Sequence, residues 1–194
     1  MPASITRELH FRQVKKLWIH PTTLTPYLTH LARFTNVTTL VFANLIAAAF
    51  NAASVSHCFG SFATRVQHLR LYRPMARATS LMQIILLFPA VIDIEIRYPL
   101  WSPVDKCEVP VSPPSGGLRF SRSLVLEGFG QRWPQFFTLL SAHSLGPKKT
   151  TIVWCEFGTS IPTQLFLDAV SRTTRNLELV GFAKRELSCG LCRN

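Results

Sequence analysis

The chain has 194 residues, a length that suits one domain or at most two small ones. Hydrophobic residues account for 47% of it and charged residues for 16%, which excludes a disordered tail and indicates a globular chain with few surface charges. Its 21 lysines and arginines outnumber 10 acidic residues, and the resulting formal charge of +11 suits an anionic partner or simply a solvated basic surface.

The first residues give no sign of secretion. The segment MPASITRELHFRQVKK carries charges where a signal peptide needs its apolar stretch. The five cysteines are an odd number, and only Cys189 and Cys192 form a C-x-x-C pair. Scattered cysteines without a secretion signal are typical of a reducing compartment. We therefore expect an intracellular protein, in the cytoplasm or the nucleus.

The segment Thr35–Ser56 contains no charged residue and is long enough to cross a bilayer. Its many amide and hydroxyl side chains make membrane insertion unfavourable, and its apolar spacing recurs along the chain. In Val37–Phe42 the apolar residues stand at offsets 0, 3 and 5, and the offset-3 residue serves as the mark of each unit. The marks are Leu17, Leu40, Leu69, Ile94, Leu124, Ile152 and Leu177.

Successive marks lie 23 to 30 residues apart, which is the spacing of leucine-rich repeats. Between the marks, five short segments have helical spacing of their apolar residues. They are Pro26–Phe34, Ser54–Phe62, Ser80–Phe88, Pro134–His143 and Pro162–Val170. Thr79 or Ser80 is predicted to cap the third helix, and Pro134 and Pro162 suit a first helical turn.

This pattern predicts an α/β fold, a curved leucine-rich-repeat solenoid of about seven repeats. A parallel sheet forms its concave side and short helices form its convex side. The missing charges of Thr35–Ser56 then reflect burial on both faces of a parallel sheet rather than a membrane span. We expect a single domain over residues 1–182 with a proline-rich loop at residues 101–118, followed by a C-terminal tail at residues 183–194.

Several stretches resemble the leucine-rich-repeat region of the F-box-like proteins of mushroom-forming fungi. They are LTPYLTHLARFTNVTTLVFANL, HCFGSFATRVQHLRLYRP, LMQIILLFPAVIDIEI, LRFSRSLVLEGFG and FLDAVSRTTRNLEL. The most specific part is Cys58-Phe59-Gly60 before an apolar strand. The resemblance implies a substrate-recruiting subunit of a ubiquitin ligase, without catalytic residues or a cofactor. Because 13 residues precede the first repeat, no F-box fits, and a ligase adaptor is an expected partner only if an F-box is supplied elsewhere.

Motifs for catalysis or metal binding do not emerge from the sequence. Gly128-Phe129-Gly130 lacks the third glycine of a dinucleotide fingerprint, and no phosphate-binding loop or nucleophile elbow occurs. Cys189 and Cys192 are half a zinc site without a second pair nearby, and the six histidines share no spacing. We therefore predict that the protein is not an enzyme and uses no cofactor or metal.

The predicted binding face is the concave side, where strand residues between the apolar marks point outward. Its candidate partner-binding residues are Lys15, Lys16, Trp18, Gln67, His68, Arg70, Asp93, Glu95 and Arg122, and Val41 is assigned to the same side. Trp18 beside two lysines either anchors an interface or packs against an N-terminal cap of the repeats. We expect a non-catalytic scaffold that binds a protein target. The alternatives are a basic protein that binds nucleic acid or another acidic surface, and a gene fragment without function.

Overall fold

The computed structural model describes residues 13–20, 28–31, 33–46, 59–101, 122–128, 133–142, 147–153, 171–172 and 174–180. The strands in these ranges are β1 (Lys16–Ile19), β2 (Thr39–Ala43), β3 (His68–Tyr72), β4 (Met75–Ala76), β5 (Asp93–Arg97), β6 (Leu100–Trp101), β7 (Ser123–Glu127), β8 (Lys149–Val153) and β9 (Asn176–Val180). The helices are α1 (Leu28–Leu31), α2 (Ala78–Leu86) and α3 (Trp133–Ala142), with a short 3-10 helix at Ala63–Arg65.

Within the described ranges, seven strands form one sheet in the order β1-β2-β3-β5-β7-β8-β9, and every neighbouring pair is parallel. A separate two-stranded parallel sheet pairs β4 with β6. Parallel neighbours need a crossover connection, and α1, α2 and α3 each lie in one of these connections along the chain. The α/β class expected from the sequence is therefore confirmed.

The register of the sheet follows the apolar marks. Leu17 pairs with Leu40, which pairs with Leu69, and the same level continues through Ile94 to Leu124. All but the first of these side chains are fully buried. Because side chains alternate between the two faces of a strand, one correct mark in each unit assigns every other residue of that strand to a face.

The sixth mark was wrong by two residues. Leu124 pairs with Thr150, and Ile152 pairs one step further along with Leu126. Thr150 is buried at a position where the other strands carry Leu or Ile, and the first apolar position of this unit holds the buried Pro147. A search for aliphatic residues passes over both. The strand face was still assigned correctly, because a slip of two residues returns the side chains to the same side.

One apolar core fills the space between the sheet and the helices. Phe59 lies within it and makes edge-to-face contacts with three other rings, at centroid distances of 5.7 Å to Phe42, 5.6 Å to Phe62 and 6.0 Å to Phe88. The phenylalanine of the Cys-Phe-Gly segment therefore joins a strand, a turn and the end of a helix. The part of Thr35–Ser56 that the structure describes contains β2, and none of the described helices has the length and apolar character needed to cross a membrane.

The helices depart from prediction in their ends. Helix α2 begins at Ala78 with Arg77 at the capping position and no side-chain cap, so the capping role given to Thr79 or Ser80 was wrong. The predicted helix Ser54–Phe62 is described only from Phe59 onward, where a turn precedes the 3-10 helix at Ala63–Arg65 that leads towards β3. The predicted segments Pro162–Val170, 102–118 and 183–194 lie outside the described residues.

A recurrent backbone turn closes four of the strands. The residues after β2, β3, β5 and β7 are Asn44, Arg73, Tyr98 and Gly128, and all have positive φ. The amides of Asn44 and Arg73 each donate to the last carbonyl of the next strand, at 2.8 Å. A Cβ on Gly128 would lie 2.9 Å from the Cα of Tyr98, so glycine is required both by φ and by space.

Candidate functional site

The sheet has one face covered by the core and one that carries no helix of the described chain. We call the second the open face. Its residues alternate with the core residues along each strand. They are Lys16, Trp18, Thr39, Val41, Ala43, His68, Arg70, Tyr72, Asp93, Glu95, Arg97, Ser123, Val125, Glu127, Lys149, Thr151, Val153, Asn176, Glu178 and Val180.

An aromatic pair stands at the β1 end of the open face. The rings of Trp18 and Tyr72 stack with centroids 5.9 Å apart and planes 4° from parallel. The intervening strand β2 offers only the short side chains of Val41 and Ala43, which leaves room for the two rings to meet above it. Val41 is fully buried even though it points away from the core cluster, while Trp18 remains 53% exposed. The Nζ of Lys16 lies 5.2 Å from the centroid of the Trp18 ring.

A network of charged side chains continues from this pair across β3, β5 and β7. Glu95 accepts from Arg70 Nε on one carboxylate oxygen, at 3.2 Å. Its other oxygen faces Arg97 and accepts from the Tyr72 hydroxyl at 3.2 Å. The side chain of Glu95 is only 15% exposed, so two guanidinium groups and one hydroxyl replace most of its water.

Arg97 links this network to the next strand. Its Nη1 lies 3.1 Å from Glu127 Oε2, and its Cζ lies 5.8 Å from the centroid of the Tyr72 ring. Burial lowers the pKa of Arg97, but the carboxylates of Glu95 and Glu127 outweigh this and raise the pKa above its ordinary value. Arg97 therefore stays charged. The hydroxyl of Tyr98 donates to Glu127, and this hydrogen bond raises the pKa of Tyr98.

Two smaller polar groups flank the network at the strand starts and on the far strands. Asp93 lies 2.9 Å from His68 Nδ1 and accepts from Ser123 Oγ at 2.8 Å. Glu178 lies 2.8 Å from Lys149 Nζ and accepts from Thr151 Oγ1 at 3.0 Å. Hydrogen bonds from Lys149 and Thr151, together with the charge of Lys149, lower the pKa of Glu178.

The sequence-predicted site residues fall into two groups. Lys16, Trp18, His68, Arg70, Asp93 and Glu95 all lie on the open face. Lys15, Gln67 and Arg122 instead stand one residue before a strand, where their carbonyls accept from amides of the neighbouring strand. The structure brings Arg70 into contact with Glu95, and it stacks Trp18 on Tyr72.

Sequence reasoning missed the third outward position of β3, β5 and β7. Tyr72, Arg97 and Glu127 occupy it, and they supply half of the central network. The prediction applied the alternation of side chains only up to the last apolar residue of these strands. Extending it by one more residue would have found all three. Val41 was assigned to an accessible face, and it is buried because its neighbours on that face are large.

The carboxylates of the open face are already paired, and none of them belongs to a cluster of metal ligands within the described ranges. No three His, Cys, Asp or Glu side chains of the described residues lie close enough together to hold a metal ion. Each carboxylate in the described ranges, namely Asp93, Glu95, Glu127 and Glu178, is engaged by a cation or hydroxyl. Comparison of the chain with protein-family models, curated proteins and solved structures gives no match. Function must therefore be argued from the face itself.

Proposed function

We propose that the chain is a leucine-rich-repeat solenoid that binds a protein partner on its open face and catalyses no reaction. The observation that carries the proposal is the exposed Trp18 ring, fixed by Tyr72 at the border of a preassembled ionic network. The repeat architecture and the binding role have separate support in the structure.

Support for the repeat architecture comes from the order and register of the strands. Seven strands follow one another in the sheet as they do in the chain, and one level runs from Leu17 to Leu177 without a slip. The positive-φ residues that follow four of the strands repeat at one level as well. Repeat proteins bury their apolar faces by stacking such units on their neighbours.

Support for a binding role comes from the make-up of the open face. Trp, Tyr and Arg are the residues most enriched at the energetic centres of protein interfaces. Trp18, Tyr72, Arg70 and Arg97 form one contiguous group of this kind. Their mutual contacts hold the side chains in place before a partner arrives, which reduces the entropy lost on binding.

The resemblance to fungal F-box-like proteins supports a narrower version of the proposal. In it, the open face selects the target of a ubiquitin ligase, and an F-box supplied elsewhere joins the chain to the ligase adaptor. Copurification of adaptor subunits with the tagged chain tests this version separately. Recovery of a target without an adaptor keeps the scaffold proposal and rejects the ligase role.

The proposal is tested by affinity capture followed by a direct binding measurement. The tagged chain is captured from its own cells, and a recovered protein is purified and titrated against the wild type and Trp18→Ala. We expect the variant to weaken binding about tenfold or more, as truncation of a central aromatic residue does. Leu100→Ala is the matched control, because Leu100 is similarly exposed but lies on β6, outside the open face.

The salt dependence of binding distinguishes this proposal from nucleic-acid binding. A mostly apolar interface keeps its partner through a high-salt wash, whereas several phosphate contacts lose about a thousandfold in affinity between low and moderate salt. Recovery of nucleic acid alone, removed by salt and unchanged by Trp18→Ala, contradicts the proposal. Equal effects of Trp18→Ala and Leu100→Ala on a protein partner contradict it too.

A further inference from the structure

Three cations stand side by side where β7, β8 and β9 begin. Arg122, Lys148 and Arg175 each precede the first residue of one of these strands. The amide of Lys149 donates to the carbonyl of Arg122 at 3.1 Å, and the amide of Asn176 donates to that of Lys148 at 3.0 Å. Neighbouring strands are about 4.8 Å apart, so the group spans roughly 10 Å. All three residues are exposed, and we call them the basic edge.

The charge of the basic edge is not balanced by the acidic residues that the structure describes. Those acids are engaged elsewhere: Glu95 and Glu127 with Arg97, Asp93 with His68, and Glu178 with Lys149. No ion pair joins Arg122, Lys148 or Arg175 to them within the described ranges. Like charges on neighbouring strands repel each other, so an anion placed against this edge relieves an existing repulsion.

The concentration of charge is local. The same level of the sheet on β2, β3 and β5 holds Thr38, Gln67 and Ile92, none of which carries a charge, and on β1 it holds the single cation Lys15. The hydrophobic anchor Trp18 lies on β1, at the opposite end of the strand order. The sheet therefore presents Trp18 with two lysines at its β1 end and three adjacent cations at its β9 end, separated by the neutralised ionic network.

We infer that the basic edge binds an acidic segment of the protein partner, so this inference rests on the proposed function and adds the chemistry of the ligand. In an extended peptide, carboxylates on alternate residues lie about 6.8 Å apart, so two of them fit within the basic edge. Arginine can hold a carboxylate through two parallel hydrogen bonds. Proteins that grip nucleic acid use about 6 to 10 phosphate contacts, and three cations suit a short peptide better.

The test uses the full chain and three fluorescent probes in anisotropy titrations. The probes are a peptide of about 12 residues that alternates Glu and Ser, the same peptide with Gln for Glu, and a single-stranded oligonucleotide of similar charge. At about 50 mM salt we expect the Glu peptide to bind and the Gln peptide to stay free, because screening is weak at this ionic strength. Raising the salt to about 300 mM should weaken the Glu peptide severalfold.

Variants assign the effect to the basic edge. Arg122→Gln combined with Arg175→Gln should weaken the Glu peptide about fivefold or more, since both guanidinium contacts are lost. Arg33→Gln combined with Arg73→Gln is the control, because it removes the same charge from two other exposed residues. The control should change affinity less than about twofold. Arg122→Lys combined with Arg175→Lys should retain most of the binding, which shows that a loss in the Gln variant reflects charge rather than unfolding.

Four results overturn the inference. They are failure of the Glu peptide to bind, equal binding of the Gln peptide, equal weakening by both Gln pairs, and tighter binding of the oligonucleotide than of the Glu peptide. The last of these assigns the basic edge to nucleic acid. None of these results changes the affinity of the captured partner for Trp18→Ala. Conversely, a partner that binds Trp18→Ala as tightly as the wild type rejects the proposed function, and the peptide titration stays the same. The two failures are therefore distinguishable.

Discussion

The same strands build two faces that differ in kind. Along the covered face one level reads Leu40, Leu69, Ile94, Leu124, and the open face at the preceding level reads Thr39, His68, Asp93, Ser123. The covered residues repeat a single chemistry, because each must exclude water from the same core. The open residues share no chemistry, so the repeat does not dictate them. The difference places the demands of the fold on the covered face and leaves the open face free for the proposed partner.

Magnitudes support this division. Burial of one Leu or Phe side chain contributes about 1.5–3 kcal/mol, and the core cluster contains many such residues. Exposed ion pairs contribute about 0–1 kcal/mol each, and the pair of Lys149 with Glu178 is about half exposed on both sides. This exposed pair therefore adds little to stability, whereas the mostly buried carboxylates of Glu95 and Glu127 depend on their cations.

The largest loss is expected in the covered face at Phe59. Phe59→Ala removes a fully buried ring and its edge-to-face contacts with Phe42, Phe62 and Phe88. We expect the free energy of unfolding to fall by about 3–5 kcal/mol, because the cavity cannot close completely. Urea denaturation measures it. Trp18→Ala on the open face is the control, with a loss below about 1.5 kcal/mol. Similar losses in the two variants would mean that the faces are not energetically distinct.

The next effect is expected where the strands end. Gly128→Ala places a Cβ 2.9 Å from the Cα of Tyr98 on a backbone with φ of 112°. Strain at such a site costs about 1–3 kcal/mol, and the thermal midpoint should fall accordingly. Arg73→Gly is the reverse change at the equivalent position after β3. Arg73 has a φ of 50° although it carries a side chain, and glycine adopts this φ without strain. It should stabilise the fold by up to about 1 kcal/mol. A stabilising Gly128→Ala contradicts the close approach.

A smaller gain is expected from the one polar intrusion into the covered face within the described part. Thr150 is fully buried, and its Oγ1 has no hydrogen-bond partner. Thr150→Val keeps the shape and removes the unpaired hydroxyl, so unfolding should cost about 1 kcal/mol more. Thr151→Val is the matched control on the open face, where the hydroxyl donates to Glu178. Chemical denaturation of both variants should give opposite signs, and a destabilising Thr150→Val rejects the argument.

The predictability of the fold follows the same division. The marks at Leu17, Leu40, Leu69, Ile94 and Leu124 lie in register because burial demands aliphatic residues at fixed offsets. The sixth mark was misplaced because Thr150 fills a core position of β8 without being an aliphatic residue. The sequence also predicted a side-chain cap that α2 does not have, because tertiary packing and not a cap stabilises that helix.

The open face was predictable only in part. Alternation placed Trp18, Arg70 and Glu95 correctly, since it is a property of one strand. Contacts between strands depend on the register of one strand against the next. The sequence does not give this register directly, because the connections between the strands differ in length. The approach of Arg97 to Glu127, about 30 residues later in the chain, needs the register of β5 against β7. The stacking of Trp18 on Tyr72 further needs the short side chains of β2.

The smallest effect is expected at an exposed pair on the open face. Hydrogen bonds from Lys149 and Thr151, with the charge of Lys149, lower the pKa of Glu178 below its ordinary value. A carboxylate with a depressed pKa in the folded state favours folding above the pKa of the unfolded chain, and this contribution disappears as the pH falls through the folded pKa. An NMR titration of the Glu178 carboxyl should show the low midpoint, and Lys149→Gln should raise it towards the ordinary value. Because both side chains are about half exposed, stability at neutral pH should barely change. If Lys149→Gln leaves the titration midpoint of Glu178 unchanged, the pair does not form in solution. A large change in stability at neutral pH would contradict the energetic distinction between the two faces.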